Sequence, residues 1–312
     1  MYQTVRKNER VKIMSIVKPV RFDYETQIDM IEELCTEYPF ISPRVLSRTC
    51  LGRSIFALDI GNKSNKVLLA AGFHGSEWIG CLAVLKFAER LSFCIKNNCL
   101  LSGVEVKRAF SNLGITIVPC VNPDGTEIAV NGSEGAKSLK KYVEQISGGD
   151  FSKYNANAKG VDINHNFNAG WQTLRQIEIE NGITGPSGRQ YGGEYPESEA
   201  ETKAMATLCR KEPFRQVMAV HSQGEELYWQ YGENTPAQAE MMAKILADSC
   251  SYTLVNNGGL ASHGGFKDWF IDEFGRPGFT LEIGKGENPL PIRDFPKIYA
   301  RIEEALLIFS LM

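Results

Sequence analysis

The chain has 312 residues, of which 43% are hydrophobic, and its formal net charge is -3 with both signs dispersed along the sequence. This length and apolar content suit one large α/β domain with an ample core, although two domains are also compatible with the length. The charge balance, without a basic patch, argues against a nucleic acid partner, and no apolar run is long enough to span a bilayer.

Two features indicate a cytoplasmic protein. The N-terminal part has only a broken apolar stretch, Ile13–Val17, whereas a secretory signal needs about 7–15 apolar residues. The eight cysteines are scattered without paired or metal-like spacing, which is typical of reduced thiols. We therefore expect no signal peptide, an N-terminal extension over residues 1–20, and one domain over residues 21–312.

The first half of the chain predicts helices and strands in alternation. An amphipathic helix is expected over Tyr24–Tyr38, because its apolar residues recur on one helical face. Apolar runs then predict three strands, over Arg53–Gly61, Lys66–Phe73 and Gly114–Val121. A long helix is expected over Glu77–Cys94.

Two irregular stretches follow in the middle of the chain. Residues 131–159 are polar and Gly-rich and are interpreted as a long excursion over the functional site, and residues 182–196 are turn-rich. Ser198 and Glu201 have the spacing of a capping box, which predicts a helix to about Arg210. Further apolar runs are Val217–Val220 and Phe279–Ile283. Further helices are expected over Pro236–Cys250 and Phe295–Leu311. Strands that alternate with helices indicate a mainly parallel sheet covered on both faces.

Three residues at the ends of apolar runs predict a metal site. His74 and Glu77 lie three residues apart just after one predicted strand, and His221 follows another. The His-x-x-Glu spacing is weak evidence alone, since about one His in fifteen has it by chance, and the alternative is a surface His beside a helix-starting Glu. Two imidazoles and one carboxylate with an open fourth position are the ligand set of catalytic zinc. We expect one zinc ion per chain.

Four further segments lie at the ends of apolar runs or in turn-rich loops, where α/β folds keep their chemistry. They are Asn122–Gly125, Gly160–Phe167, His221–Gly224 and Thr280–Gly284. Together with His74–Trp78, in this order, they resemble the zinc carboxypeptidase family, the funnelins, from about Tyr24 to the C-terminus. The resemblance implies a single α/β domain whose mixed, mostly parallel, twisted sheet of about eight strands has helices on both faces.

Within that family the chain is most similar to a bacterial branch. Its members are γ-D-glutamyl-diamino acid peptidases, including murein-peptide amidases, which act on peptidoglycan stem peptides. The segments that carry this narrower resemblance are Asn157–Asp162, His221–Glu226 and Gly264–Phe270.

Two acidic residues are assigned roles beside the metal. The family pattern places Asp162 against His74, and a ligating His usually donates its other N–H to a carboxylate; a turn-stabilising Asp is the alternative. Glu282 is the candidate general base, since a carboxylate facing activated water can carry a proton to the leaving amine. It lies in an apolar run, where an unpaired Glu is costly to bury, and pairing with Lys285 is the alternative.

Two departures from the family pattern bear on substrate recognition. His165 follows Asn164 where most family members have an Arg that grips the substrate's terminal carboxylate, and a His lacks that bidentate fork. Asn155 falls where many members have Arg or Lys to stabilise the oxyanion. An amide still donates one hydrogen bond, and a plain loop residue is the alternative.

The remaining candidates are substrate contacts. Ser222 follows the third metal ligand, and Asn164 and His165 are expected to contact the substrate. Leu260 falls near the position of the family's mobile tyrosine, and His263 in the same loop is a candidate replacement or a surface residue. Lys267 occupies the position that lines the specificity pocket in relatives, where it favours an anionic group such as the distal carboxylate of diaminopimelate; a solvated helix lysine is the alternative.

The resemblance implies a zinc-dependent hydrolase that cleaves γ-D-glutamyl–diamino acid bonds in small peptides or muropeptides. Three alternatives remain: an ordinary metallocarboxypeptidase, an aspartoacylase-like deacylase and a non-catalytic peptidoglycan-binding module. His165 counts against the first alternative. The segments Asn122–Gly125 and Thr280–Gly284 count against the second, and the intact ligands with Glu282 count against the third.

Overall fold

The computed structural model of the protein describes residues 15–256 and 263–312. Eight strands form one sheet: β1 (Ser42–Arg48), β2 (Ser54–Gly61), β3 (Lys66–Ala71), β4 (Gly114–Val118), β5 (Val217–His221), β6 (Glu226–Tyr228), β7 (Thr253–Val255) and β8 (Gly278–Glu282). The α-helices are α1 (Tyr24–Glu37), α2 (Ile79–Asn97), α3 (Val106–Ala109), α4 (Pro123–Asn131), α5 (Lys140–Ser147), α6 (Trp171–Glu180), α7 (Ala200–Lys211), α8 (Ala239–Cys250), α9 (Phe266–Phe274) and α10 (Phe295–Leu311).

The strand order is β1-β2-β4-β3-β5-β8-β6-β7. The four central strands β4, β3, β5 and β8 are parallel, whereas β2 runs antiparallel to β4, and β6 runs antiparallel to β8. The expected single domain with a mixed sheet of eight strands is therefore confirmed. The strands that apolar runs predicted are present, while β1, β6 and β7 were not predicted, because β6 and β7 have three residues each and β1 is partly exposed throughout.

Both faces of the central strands are buried, which explains why the strands are mostly apolar. Val67, Leu69 and Ala71 of β3 point into the larger core, beside helices α1, α2, α8 and α10. Leu68 and Ala70 point the other way, into a second core formed with helices α7 and α9. The sheet is thus a rigid layer between two layers of helices.

The parallel central strands bring the chemistry-bearing residues to one edge of the sheet. His221 and Glu282 are the last residues of β5 and β8, and they are register neighbours. His74 is the third residue after the end of β3, and Asn122 is the fourth after the end of β4. In parallel α/β sheets this carboxyl edge is where ligands bind.

Two local expectations were wrong. The helix predicted to start at Glu77 begins at Ile79, because residues 75–77 form a separate 3-10 turn. The capping box does not form: Ser198 Oγ accepts from Asn166 Nδ2 at 3.0 Å and donates to Glu199 Oε1, so it cannot cap α7. The polar stretch 131–159, interpreted as an excursion over the functional site, contains a 3-10 segment and α5.

The N-terminal segment that the structure describes is attached to the domain. The backbone N–H groups of Ile16 and Val17 donate to the Glu89 carboxylate on α2 at 2.9 and 3.2 Å, and Val17 is buried in the larger core. Residues 1–14, with most of the expected extension and of the segment interpreted as lacking a signal, lie outside the described residues. Among the described helices, none has the length and apolar character needed to cross a membrane.

Gly75 allows three segments to meet behind the carboxyl edge. Its N–H donates to the Asn155 carbonyl at 3.2 Å. A Cβ at this position would lie 2.3 Å from the Gly125 carbonyl oxygen and 2.7 Å from the Tyr154 carbonyl oxygen. Any larger residue must therefore push apart backbone that has no flexible side chain to yield.

We expect Gly75→Ala to lower the free energy of unfolding by about 1–3 kcal/mol, the usual cost of overpacking. The measurement is urea unfolding of the purified variant beside the wild type. Gly185→Ala is the matched control, because a Cβ there meets nothing within 4 Å. Equal stability of the two variants would contradict the close packing described for Gly75.

Candidate metal centre

His74, Glu77 and His221 converge at the carboxyl edge of the sheet. His74 Nδ1 lies 2.8 Å from Glu77 Oε1, and His221 Nδ1 lies 2.9 Å from Glu77 Oε2. One ligand atom from each of the three residues lies within 4.8 Å of the other two. The predicted ligand set therefore forms a single cluster that can hold a metal ion.

Local structure fixes each of these side chains. The 3-10 turn after His74 brings the Glu77 carboxylate back beside the imidazole. The His221 ring stacks on Phe73, with ring centroids 5.3 Å apart and planes 18° apart. The backbone N–H of Ser222 donates to Glu77 Oε2 at 3.2 Å. The carboxylate is thus held from both the β3 and the β5 side of the site.

Asp162 lies where the family pattern placed it. Its Oδ1 is 3.1 Å from His74 Nε2, the ring nitrogen that faces away from Glu77. Backbone N–H groups hold the carboxylate, since Asn164 donates to Oδ1 at 3.2 Å and Gln190 donates to Oδ2 at 3.0 Å. This contact orients the imidazole so that Nδ1 faces the cluster, the usual arrangement behind a ligating histidine.

The electrostatics keep two carboxylates of the cluster ionised. Burial alone would raise the pKa of Glu77, but the His74 charge and hydrogen bonds from both imidazoles lower it to about 2. Burial likewise opposes ionisation of Asp162, yet His74 and His165 hold its pKa well below the usual range. Burial lowers the pKa of His74, but Glu77 and Asp162 outweigh this effect and raise it well above the usual value.

Glu282 brings a third carboxylate to the same place. It is the register neighbour of His221 on β5 and of Glu226 on β6, so its side chain projects from the same sheet face as His221. Burial, and after it the negative charge of Glu77, raise the pKa of Glu282 well above its usual value. Lys285, the alternative partner, is not among the charges that act on it.

The residues fit a zinc ion. Two imidazole nitrogens and a carboxylate are zinc donors, and the low pKa of Glu77 keeps that donor ionised, as a ligand must be. Burial, and after it the negative charge of Glu77, raise the pKa of Glu282, so two carboxylates repel each other at this edge of the sheet. A divalent cation held by His74, Glu77 and His221 compensates that charge.

A cavity of about 320 Å³ opens beside the cluster. Its lining residues are Ser76, Glu77, Lys153, Asn155, Arg189, Gln223, Glu287 and Asn288. Ser76 Oγ donates to Asn155 Oδ1 at 2.6 Å, which fixes the amide with its oxygen turned to Ser76. Ser222 Oγ donates to Asn288 Oδ1 at 2.8 Å, so this candidate substrate contact already has a hydrogen-bond partner that lines the cavity. The roles of Asn155 and Ser222 stay predictions.

Asn164 and His165, which follow Asp162 in the chain, both have polar contacts within the protein. Asn164 Oδ1 accepts from the Phe266 N–H at 3.1 Å at the start of α9. His165 Nδ1 lies 2.8 Å from the buried carboxylate of Glu178 on α6. Burial lowers the pKa of His165, but the charges of Asp162 and Glu178 raise it overall. Their roles as substrate contacts also stay predictions.

Lys267 and His263 are also engaged within the protein. The Lys267 ammonium is buried, forms an ion pair with Asp268 and donates to the Gln230 carbonyl at 2.9 Å. It is therefore not a solvated lysine. His263 Nδ1 lies 3.4 Å from the Tyr231 hydroxyl. Leu260, assigned to the position of the mobile tyrosine, lies outside the described residues.

Sequence reasoning missed several charged residues near the site. Arg175 and Glu178 form an ion pair on α6, a helix that was not predicted. Lys153 and Arg189 line the cavity beside Glu77. They lie in the two irregular stretches, and the only available signal was the expectation that residues 131–159 cover the site.

Comparisons with known proteins agree with this geometry. The profile of a family described as zinc carboxypeptidase matches residues 28–302. Gamma-D-glutamyl-L-diamino acid endopeptidase 1 of Lysinibacillus sphaericus is 34% identical over 290 residues, which are 92% of this chain and 71% of that protein.

Two solved structures share the fold. Bovine thrombin-activatable fibrinolysis inhibitor, in complex with tick carboxypeptidase inhibitor, matches with a TM-score of 0.72 at 19% identity, over 94% of this chain and 97% of its own. Murein-tripeptide amidase MpaA from Escherichia coli O157 matches with a TM-score of 0.54 at 20% identity, over 86% and 91% of the two chains. At these low sequence identities, the similarity shows only that the fold is shared.

Asp162→Asn is expected to weaken zinc binding about 10–100-fold, because the amide cannot hold His74 as a carboxylate does. The measurement is competition with a chromogenic chelator at fixed pH. Asp150→Asn is the matched control, since Asp150 is exposed and accepts only from Ser152. Unchanged zinc affinity in Asp162→Asn would remove the positioning role of this carboxylate.

Proposed function

The chain belongs to the zinc carboxypeptidase family, and on that premise we propose that it hydrolyses the amide bond between a γ-linked D-glutamyl residue and a diamino acid in peptidoglycan stem peptides. The observation that carries this substrate class is the 34% identical relative, which covers 92% of the chain and is named for that bond. The unpaired cysteines of the described chain further support action on muropeptides in the cytoplasm.

In the proposed mechanism, His74, Glu77 and His221 hold the zinc ion, and Asp162 orients His74 through Nε2. Zinc in such a site supplies Lewis acidity for activating water and polarising a carbonyl. Glu282 takes a proton from the attacking water and delivers it to the leaving amine. Its position suits this task, since it is the register neighbour of His221 and projects from the same face of the sheet.

The rest of the site positions the reacting carbonyl. Asn155 faces the cavity beside Glu77, with its amide oxygen fixed by Ser76. The amide nitrogen then serves as a hydrogen-bond donor to the oxygen that becomes negatively charged during attack. The two helix-backed cores keep these groups in place without substrate.

An ordinary carboxypeptidase activity is less well supported. That reaction requires a strong grip on the terminal carboxylate, for which a bidentate guanidinium is best suited. His165 offers one ring edge, and its Nδ1 already lies against Glu178. The deacylase alternative is disfavoured because the zinc carboxypeptidase profile spans residues 28–302.

Glu282→Gln is expected to retain fold and bound zinc but to lose about 10²–10⁴-fold in kcat, the usual contribution of a general acid–base group. Glu226→Gln is the matched control, since Glu226 is its register neighbour on β6 and its carboxylate accepts from the Tyr228 hydroxyl at 2.7 Å. The assay is single-substrate kinetics with zinc content measured in parallel. Retention of more than a tenth of kcat in Glu282→Gln would place the base elsewhere.

Substrate preference tests the proposal directly. We expect kcat/KM for L-alanyl-γ-D-glutamyl-meso-diaminopimelate to exceed that for a hippuryl dipeptide by at least about tenfold, a difference of roughly 1.4 kcal/mol in transition-state binding. Mass spectrometry identifies the bond that is cleaved. Efficient cleavage of the hippuryl substrate, without cleavage of the tripeptide, would establish the ordinary carboxypeptidase instead.

A further inference from the structure

The cavity beside the metal centre contains cations that no catalytic step uses. Lys153 and Arg189 line it together with Glu77 and Asn155. Asn164, His165 and Lys267, the expected contacts to the leaving diamino acid, do not line it. The cavity therefore adjoins the position of the scissile carbonyl, on a side distinct from the leaving group.

The backbone around Arg189 is anchored to the site on both sides. The Gly188 carbonyl accepts from the N–H groups of Asn155 and Ala156 at 2.8 and 3.0 Å. The Gln190 N–H donates to Asp162 Oδ2 at 3.0 Å. Arg189 thus lies between a bond to the candidate oxyanion segment and a bond to the carboxylate behind His74, although the side chain itself is exposed.

Arg189 also differs from the other cations near the site. Arg175 is paired with Glu178, Lys267 is paired with Asp268, and both pairs are largely buried. Lys153 approaches Glu287 at 3.9 Å, but the two side chains are 58% and 89% exposed, so this attraction is weak.

Arg189 takes part in no ion pair within the described part of the chain. Its guanidinium is therefore available to an anion that enters the cavity, and no internal carboxylate must be displaced first.

A γ-linked D-glutamyl residue offers such an anion. Because its side-chain carboxyl forms the scissile amide, its α-carboxylate remains free, two methylene groups and the α-carbon away from the scissile carbonyl. An ordinary α-peptide has a carboxylate at this separation only where a glutamate precedes the scissile bond, and its amino group is then attached next to the scissile carbonyl instead of next to the carboxylate. A guanidinium binds a carboxylate through two parallel hydrogen bonds, which an ammonium cannot do.

We propose that Arg189, assisted by Lys153, binds the α-carboxylate of the γ-linked D-glutamyl residue and so determines specificity on the acyl side of the scissile bond. This inference rests on the proposed function, and it assigns the recognition of the γ-linkage to residues outside the metal ligands, the base and the leaving-group contacts. Arg189 acts by binding, so its loss affects KM more than kcat.

The test uses two tripeptides that differ only in that carboxylate: one contains γ-D-glutamate, and the other contains D-isoglutamine, in which the α-carboxyl is an amide. Wild-type enzyme is expected to prefer the carboxylate substrate. Arg189→Gln is expected to lose about tenfold in kcat/KM on that substrate, the size of one charge-assisted hydrogen bond, and little on the amide. Arg189→Lys should recover part of the loss, and Lys153→Gln should show a smaller one.

Arg108→Gln is the control, because Arg108 is exposed and precedes β4, at the opposite edge of the sheet from the site. Zinc content is measured for every protein. Equal losses of Arg189→Gln on both tripeptides, or no loss on either, would overturn the inference while leaving the proposed function in place. If wild-type enzyme with bound zinc cleaves neither tripeptide, the proposed function fails, and the inference fails with it.

Discussion

The parallel alignment of the central strands is the constraint on which the metal site depends. β3, β5 and β8 all end at one edge of the sheet, so His74, His221 and Glu282 meet although they are far apart in sequence. Register matters as much as direction. A shift of one residue between β5 and β8 would turn Glu282 to the opposite face, into the larger core and away from His221.

This convergence brings several carboxylates together in a buried site. His74 lies between Glu77 and Asp162 and lowers the pKa of both, whereas Glu282 forms no ion pair with the residues that the structure describes. The sheet and the helices packed on its two faces enclose these carboxylates. Metal binding at such a site contributes to folding stability, because the unfolded chain does not bring the three ligands together.

Much of the central sheet and its ligands follows from the sequence, because strands buried on both faces are mostly apolar and the polar ligands lie at or just beyond their ends. His74, Glu77 and His221 were found in this way, while the position of Asp162 came from the family resemblance. The short outer strands carry no such signal. The cavity could not be predicted either, since Arg189 reaches the site only through the path of an irregular loop, which depends on backbone hydrogen bonds.

The two oxygens of Asp162 serve different neighbours. Oδ1 contacts His74, and Oδ2 accepts from the Gln190 N–H next to Arg189. One carboxylate therefore connects the metal ligand with the loop that carries the guanidinium. Any coupling free energy between the two sites is reciprocal. If bound zinc raises the affinity for the acyl group by some factor, then the bound acyl group raises the affinity for zinc by the same factor. On the proposal that Arg189 binds substrate, a substrate whose binding zinc strengthens would by the same factor reduce the loss of zinc to a chelator at equilibrium.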